Sequence, residues 1–372
     1  MTRVYAAFVG CKVSQADSEA ALAQLAAAGS RPVGGAEEAD VCVLMTCAVT
    51  AEAERKSRRL ARRLAKDGRR ELVGGCAATL RAAQFEHPGI DVVDVDGWAG
   101  LAERIAAAPP AVETDRGTIA ADEAAAGADP GSPAMAAPRG RVRFTLKVQD
   151  GCSGRCSYCV VRLVRGRPRS VPLAAAVGSA REALAAGCAE VVLSGIDLGA
   201  YRDAGGAGTA PGGVADLADL VRALVELPGL ARLRLSSIEP EHLDDRFLRA
   251  LDHPLVARHL HVPLQAADDG VLASMRRRYD MAGYRAAVER VRALVGDAML
   301  STDVIVGFPT EDEAAFARTV AALESGLFGR AHVFAYSSRP GTEAAGLRPL
   351  PAAVVRARRS GGRCGGTRPT TT

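Results

Sequence analysis

Long apolar segments are missing from this sequence. No run approaches the ~20 apolar residues that a helix needs to span a bilayer. The N-terminal segment MTRVYAAFVGCKVSQ also lacks the basic, apolar and small-residue zones of a signal peptide. We therefore expect a cytoplasmic protein with no membrane partner.

A disulfide framework is not indicated either. The nine cysteines are an odd number, and most stand singly after apolar runs. This pattern fits thiolate ligands in a reducing compartment better than paired disulfides, so metal binding is the leading explanation. The net charge of +4 permits an RNA partner without indicating one.

The 372 residues, 48% of them hydrophobic, are enough for two packed cores, because single cores seldom grow past ~250–300 residues. Residues 3–107 alternate strand-like and helical stretches, which predicts a parallel-sheet α/β domain over residues 1–110. Its predicted strands are Val4–Val9, Val41–Met45, Glu71–Gly74 and Ile90–Val95.

Residues 111–140 are rich in Ala, Gly and Pro and are predicted to be a linker. A second β/α series over residues 141–345 predicts an open, six-unit (β/α) barrel. Residues 346–372 lack periodicity and apolar content, so we expect a disordered tail. The predicted barrel strands are Val142–Val148, Glu190–Leu193, Arg232–Ser236, His259–Val262, Met299–Val306 and His332–Tyr336.

The segment DGCSGRCSYCVV places three cysteines in a CxxxCxxC run after the first barrel strand: Cys152, Cys156 and Cys159. Three thiolates can hold a 4Fe-4S cluster that ordinarily takes four. The iron left without a thiolate can chelate S-adenosylmethionine (SAM), whose reductive cleavage gives a 5′-deoxyadenosyl radical. The alternatives are a zinc site, which usually shows paired CxxC motifs or histidines, and chance clustering.

The sequence from residue 3 to about 345 resembles the methylthiotransferases, which are radical SAM enzymes that insert sulfur and then a methyl group at an unactivated C–H. The resemblance is carried by an ordered series of segments: GCKVSQ, MTCAVT, GGCAA, KVQDGCSGRCSYC, RGRPRS, LSGIDLG, LSSIEPE, HVPLQAADDGVLASM, TDVIVGFPTEDE and HVFAYSSRPGT. Within the family, VQDGC, RGRPRS and SGIDLG are similar to the branch that modifies N6-threonylcarbamoyladenosine beside the tRNA anticodon.

The resemblance implies a second 4Fe-4S cluster, held by Cys11, Cys47 and Cys76. Each of these follows a predicted strand, so in an all-parallel sheet they gather at one carboxyl edge and again leave one coordination position free. The alternative is that each is a small buried core residue.

The resemblance also implies that SAM contacts the loops at the barrel mouth, although ordinary strand-to-helix turns would explain the same segments. His261 and Gln265, at the end of the fourth barrel strand, are candidate active-site residues. Arg162, Arg165, Arg167 and Arg169 are placed for RNA or for the carboxylate of SAM. The predicted cofactor-binding residues are Ser194, Gly195, Ser236, Glu239, Gln265 and Gly307.

The expected substrate is N6-threonylcarbamoyladenosine 37 in a tRNA anticodon loop, and the reaction needs a reduced electron donor and a sulfur donor. The alternatives are isopentenyladenosine 37, a ribosomal-protein aspartate, or an inactive iron–sulfur or RNA-binding remnant. The remnant is considered because family members carry a C-terminal TRAM β-barrel that grips tRNA, and we expect it to be absent here.

Overall fold

The computed structural model describes residues 1–66, 69–94, 101–106, 142–209 and 213–361. The chain divides into two compact units. The first is Met1–Arg141 with Leu163–Gly166, and the second is Val142–Arg162 with Arg167–Thr372. The predicted linker, residues 111–140, lies outside the described residues.

The first unit alternates strands with helices. Its strands are β1 (Arg3–Phe8), β2 (Arg31–Pro32), β3 (Val41–Thr46), β4 (Arg70–Gly75) and β5 (Ile90–Val92). Its helices are α1 (Lys12–Ala27), α2 (Ala51–Leu64), α3 (Cys76–Leu80) and α4 (Leu101–Ala106).

All strands of this unit pair in parallel, in the order β2-β1-β3-β4-β5. Every residue of β3 is buried, as expected for the central strand of a parallel sheet covered on both faces. The core packs Val43 and Leu72 of the sheet against Leu22 and Leu25 of α1. The predicted parallel-sheet α/β domain is therefore confirmed.

The second unit contains a longer β/α series. Its strands are β6 (Arg143–Lys147), β7 (Gln149–Asp150), β8 (Arg169–Ser170), β9 (Glu190–Ser194), β10 (Arg202–Ala207), β11 (Val214–Asp216), β12 (Arg232–Leu235), β13 (His259–His261), β14 (Met299–Val306) and β15 (Arg330–Ala335). Helix α5 (Val161–Arg165) begins in this unit, and its residues from Leu163 on group with the first. The other helices are α6 (Leu173–Ala185), α7 (Leu217–Val225), α8 (Asp245–Leu251), α9 (Asp269–Ser274), α10 (Met281–Val295), α11 (Glu313–Glu324) and α12 (Ala352–Gly361).

Six parallel strands form the predicted barrel, in two ladders ordered β6-β9-β12 and β13-β14-β15. Two isolated parallel bridges join the ladders, between Leu233 and Val256 and between Ser237 and His261. Sequential strands are therefore neighbours, which is the arrangement of a (β/α) barrel. β7–β8 and β10–β11 are small antiparallel pairs added to this frame.

The barrel core lies between the strands and their covering helices. Along β14, Leu300, Val304 and Val306 are buried against α10, where Val288 and Val291 are also buried. The intervening Asp303 is only partly buried and projects from the opposite face of the strand, because side chains alternate along a strand. The face of β14 opposite α10 is thus available to polar side chains.

The predicted disorder of residues 346–372 is wrong for Ala352–Gly361, which form α12. The buried Arg358 anchors this helix: its guanidinium donates to the Glu311 carboxylate at 2.8 Å and to Glu313 at 2.9 Å, and it lies over the Phe316 ring. The segment lacks a stripe of apolar residues, and these ion pairs attach the helix to the rest of the unit instead. Residues 362–372 lie outside the described part of the chain.

Arg358→Ala is expected to loosen α12, because it leaves the buried Glu311 carboxylate without its charge partner. Breaking such a pair costs about 3 kcal/mol, so local hydrogen exchange should become roughly 100-fold faster. Hydrogen-exchange mass spectrometry of peptides covering α12 measures this. Arg356→Ala removes an exposed arginine of the same helix and is the control. Equal acceleration in both variants would contradict the ion-pair explanation.

Among the described residues, no helix is both long enough and apolar enough to cross a membrane.

Candidate functional site

The three cysteines of the first unit lie where neighbouring strands end. Cys11 is the N-cap residue of α1 after β1, Cys47 directly follows β3, and Cys76 begins α3 after β4. Because β1, β3 and β4 are adjacent and parallel, all three residues stand at the carboxyl edge of one sheet.

Two glycines make this close approach possible. Gly10 has a φ of 127°, and a Cβ there would lie 2.7 Å from the Cβ of Cys47. Gly75 has a φ of 85°, and a Cβ there would lie 2.7 Å from the backbone oxygen of Thr46. Both positions therefore need glycine, for backbone conformation and for space.

The thiols of the first unit are held in a mostly buried setting. The pKa of Cys47 is raised to about 12, chiefly by burial and to a lesser extent by the neighbouring Cys11 and Cys76. Burial also raises the pKa of Cys76, against a lowering effect from the charge of Arg165. Cys11 is exposed. Of the three thiols, those of Cys47 and Cys76 are therefore buried, and solvent reaches the group at Cys11.

Arg165 belongs to the segment Leu163–Gly166, which groups with the first unit. Its side chain is buried, its Nε donates to the Cys76 Sγ at 3.3 Å, and it forms an ion pair of 2.8 Å with Asp17. The sequence had suggested RNA or the SAM carboxylate as partners for Arg165. The structure instead places its guanidinium against a thiol.

The three cysteines of the second unit share one loop after β7. The Gly154 N–H donates to the Cys152 Sγ at 3.1 Å, and the Cys159 N–H donates to the Cys156 backbone oxygen at 3.1 Å. Burial raises the pKa of Cys152 to about 11 and that of Cys159 to about 12. Since metal ligands must be thiolates, binding an iron cluster here would release protons.

Arg277 is a functional candidate that the sequence did not reveal. Its side chain is 6% exposed, and its Nη1 lies 3.3 Å from the Cys156 Sγ and 3.4 Å from the Tyr158 hydroxyl. It also forms an ion pair with Glu239. Arg277 therefore supplies a fixed positive charge beside one thiol of the loop and positions Glu239.

Asp197 is the second residue that sequence reasoning missed as a site residue. Its carboxylate accepts a hydrogen bond from the Cys152 Sγ at 3.5 Å and lies 3.1 Å from the His242 Nε2. Its backbone N–H donates to the Gln149 Oε1 at 2.8 Å. The partners are 45 to 48 residues away in sequence, so no local motif could have indicated this arrangement.

Two of the predicted cofactor-binding residues carry unsatisfied polar groups. Ser194 ends β9 and Ser236 follows β12, the adjacent strand. Both hydroxyls are buried and have no hydrogen-bond partner among the described residues. Because a buried hydroxyl without a partner is costly, these positions suit a ligand that brings polar groups. Gly195 follows directly and lies against Gln149.

Gln265 and Gly307 have structural roles of their own. Gln265 has a φ of 62°, and its backbone bonds to Asp303 and Ile305 on β14, both at 2.8 Å. Gly307 has a φ of 75°, and a Cβ there would lie 2.8 Å from Val355. The constraint at Gly307 explains that glycine without a ligand, whereas the positive φ of Gln265 does not require a glutamine side chain. Contact of either residue with SAM stays a prediction.

The fold resembles that of solved radical SAM enzymes. The radical S-adenosylmethionine methyltransferase TsrM from Kitasatospora setae, with cobalamin and a [4Fe-4S] cluster bound, matches with a TM-score of 0.63 at 18% identity. The match covers 94% of this chain and 80% of that one. Residues 146–323 match the Radical SAM superfamily, and residues 3–95 match the Uncharacterized protein family UPF0004. The second unit is therefore a radical SAM domain, a class that uses a 4Fe-4S cluster and SAM.

Two relatives show to which family of radical SAM enzymes the chain belongs. Threonylcarbamoyladenosine tRNA methylthiotransferase MtaB of Thermotoga maritima is 33% identical over 347 residues, which cover 90% of this chain and 75% of that protein. tRNA-2-methylthio-N(6)-dimethylallyladenosine synthase of Sorangium cellulosum is 36% identical over 359 residues, covering 90% and 71%. The chain belongs to the radical SAM methylthiotransferase family and is a transferase of sulfur-containing groups.

Proposed function

We propose that this enzyme converts N6-threonylcarbamoyladenosine 37 of tRNA to its 2-methylthio derivative. The observation that carries the proposal is the presence of two sets of three thiols, one set in each unit. The first set lies where three parallel strands end, and the second lies in one loop after β7. Each set would leave one ligand position of a 4Fe-4S cluster that the protein does not fill.

The loop of the second unit fits a 4Fe-4S cluster with SAM. Cys152, Cys156 and Cys159 are the proposed ligands, and the partnerless hydroxyls of Ser194 and Ser236 suit the polar groups of SAM. When bound, the cluster and SAM supply an electron and a carbon-centred radical that removes hydrogen from an unactivated carbon.

Charged side chains surround the cysteine loop and are fixed there by ion pairs and hydrogen bonds. Arg277 places a fixed positive charge 3.3 Å from the Cys156 Sγ, where it would offset part of the negative charge of a cluster held by thiolates. The Asp197 carboxylate lies 3.1 Å from the His242 Nε2 and so holds this imidazole beside the cysteine loop. Glu239, paired with Arg277, presents a carboxylate whose position is set by that ion pair.

The first unit would hold the second cluster, through Cys11, Cys47 and Cys76. Arg165 would donate to one of its thiolates and reduce the accumulated negative charge. A cluster held by these three residues would keep one iron without a protein ligand, and this iron could bind the sulfur to be inserted. A sulfur donor and a reduced electron donor are therefore proposed partners.

The tRNA assignment follows the names of the relatives, both of which act on modified adenosines. An anticodon loop is a suitable substrate, because its unpaired bases can leave the stack and enter a protein pocket. The segments VQDGC, RGRPRS and SGIDLG favour the threonylcarbamoyl substrate. The Sorangium relative, at 36% identity, favours the dimethylallyl substrate as the second candidate.

Nucleoside analysis tests substrate and chemistry together. Enzyme with both clusters reconstituted anaerobically is incubated with SAM, a reductant, a sulfide source and tRNA carrying either modified adenosine. We expect mass spectrometry to show the methylthio group on threonylcarbamoyladenosine. A product only on the dimethylallyl nucleoside would assign the second candidate, and no product on either with full iron content would contradict a tRNA substrate.

A further inference from the structure

Three potential metal ligands meet on one face of the second ladder of the barrel. His261 is on β13, Asp303 on β14 and His332 on β15. Asp303 is directly opposite His332, and His261 is opposite Ser301, two residues before Asp303. Since side chains of one strand return to the same face every second residue, the register places all three side chains together.

The distances among their polar atoms are short. The Asp303 Oδ1 lies 3.3 Å from the His261 Nε2 and 3.2 Å from the His332 Nδ1. The two imidazole rings stack with centroids 5.9 Å apart and planes 28° apart. One ligand atom from each residue lies within 4.8 Å of the other two.

These separations fit the ligand spacing of a tetrahedral metal site and are at the long end of the range for hydrogen bonds. Two ligand atoms, each ~2.0–2.1 Å from a tetrahedral zinc ion, are roughly 3.3–3.4 Å apart. A charge-assisted N–H to carboxylate bond is shorter, at about 2.7–2.9 Å. The observed 3.2 and 3.3 Å are therefore close to the edges of a coordination tetrahedron.

A hydrogen bond behind His261 orients its ring for coordination. The Nδ1 of His261 lies 2.9 Å from the Ser301 Oγ, which lies 2.8 Å from the His259 Nε2. When the His261 Nδ1–H donates to Ser301, the lone pair of its Nε2 points to Asp303. Metal-binding histidines commonly have their second nitrogen fixed in this way.

We propose that His261, Asp303 and His332 bind one divalent ion of the zinc class. Two imidazole nitrogens and one carboxylate oxygen suit such an ion and leave a fourth position open to a small ligand or substrate group. The side chains are 15%, 31% and 42% exposed, so an ion can reach them from solvent. None of the three residues is a proposed cluster ligand, and the proposal does not depend on the identity of the tRNA substrate.

Metal counting tests the proposal on the whole 372-residue chain with both clusters loaded. The protein is equilibrated anaerobically with Zn²⁺, freed of unbound ion by gel filtration, and analysed for zinc and iron by mass spectrometry. We expect about one zinc ion per chain at unchanged iron content. His332→Ala and Asp303→Asn should lose this ion or weaken its binding by roughly 100-fold or more.

His87→Ala is the matched control, because it removes an exposed histidine from the first unit. It should keep the zinc ion. Circular dichroism and iron content establish that each variant is folded, and Asp303→Asn preserves the shape of the side chain. Failure of the unaltered enzyme to retain zinc, zinc uptake only with loss of iron, or equal retention by all variants would each overturn the proposal.

Discussion

Cys152→Ala is expected to reduce the cleavage of SAM to 5′-deoxyadenosine to the level of a protein-free control. Three thiolates hold a 4Fe-4S cluster with one iron open, whereas two would leave a second iron without a protein ligand. Two groups lie beside the Cys152 Sγ, the Asp197 carboxylate and the Gly154 N–H. Neither can replace the cysteine thiolate as an iron ligand. The measurement is liquid chromatography of 5′-deoxyadenosine after anaerobic incubation with SAM and a strong reductant.

Cys188→Ala is the control for Cys152→Ala. Cys188 is a buried cysteine of the same unit, lies just before β9, and is not a proposed ligand. Its loss removes one thiol from the barrel core and should leave the 5′-deoxyadenosine yield within about twofold of the original. If Cys152→Ala kept a comparable yield, the assignment of the CxxxCxxC loop would be wrong.

The main strands could be predicted from the sequence because each is a short apolar run between turn residues. β3 and β14 were predicted within one residue at each end. β2, with only Arg31 and Pro32, and the pair β7–β8 were missed. These two-residue strands have no periodicity of their own and exist because a neighbouring strand offers backbone partners.

The cysteines of the candidate site could also be predicted, since their spacing and their positions after strands are local features of the sequence. The residues around them could not. Arg277 reaches Cys156 across 121 positions and Arg165 reaches Cys76 across 89. Arginine is frequent in this chain, so the sequence did not distinguish Arg277 from surface arginines. It singled out Arg165 only for RNA or the SAM carboxylate, whereas the fold brings this residue to a thiol.

The helix α12 shows the same limit in a structural element. Its segment lacks a stripe of apolar residues, which led to the expectation of disorder. Its stability comes instead from Arg358, whose partners Glu311 and Glu313 are 45 to 47 residues away. Composition alone does not reveal an ion pair formed in the tertiary structure.

Cys47→Ala is expected to separate the two halves of the reaction. It should abolish the methylthio product while SAM is still cleaved, because Cys47 belongs to the thiol set of the first unit and the CxxxCxxC loop stays intact. Iron content should fall from about eight to about four per chain. The paired measurements are methylthio-nucleoside by mass spectrometry and 5′-deoxyadenosine by chromatography, from the same incubation.

Cys42→Ala is the matched control, because Cys42 lies on β3 five residues before Cys47 and is fully buried without being a proposed ligand. It should keep both clusters and both products. A Cys47 variant that still made the methylthio product would contradict the second cluster. Loss of 5′-deoxyadenosine together with the methylthio product would instead show that the first unit is needed for SAM cleavage. Radical generation is assigned to the CxxxCxxC loop if Cys152→Ala removes both 5′-deoxyadenosine and the methylthio nucleoside. Sulfur insertion is assigned to the thiols of the first unit if Cys47→Ala removes only the methylthio nucleoside.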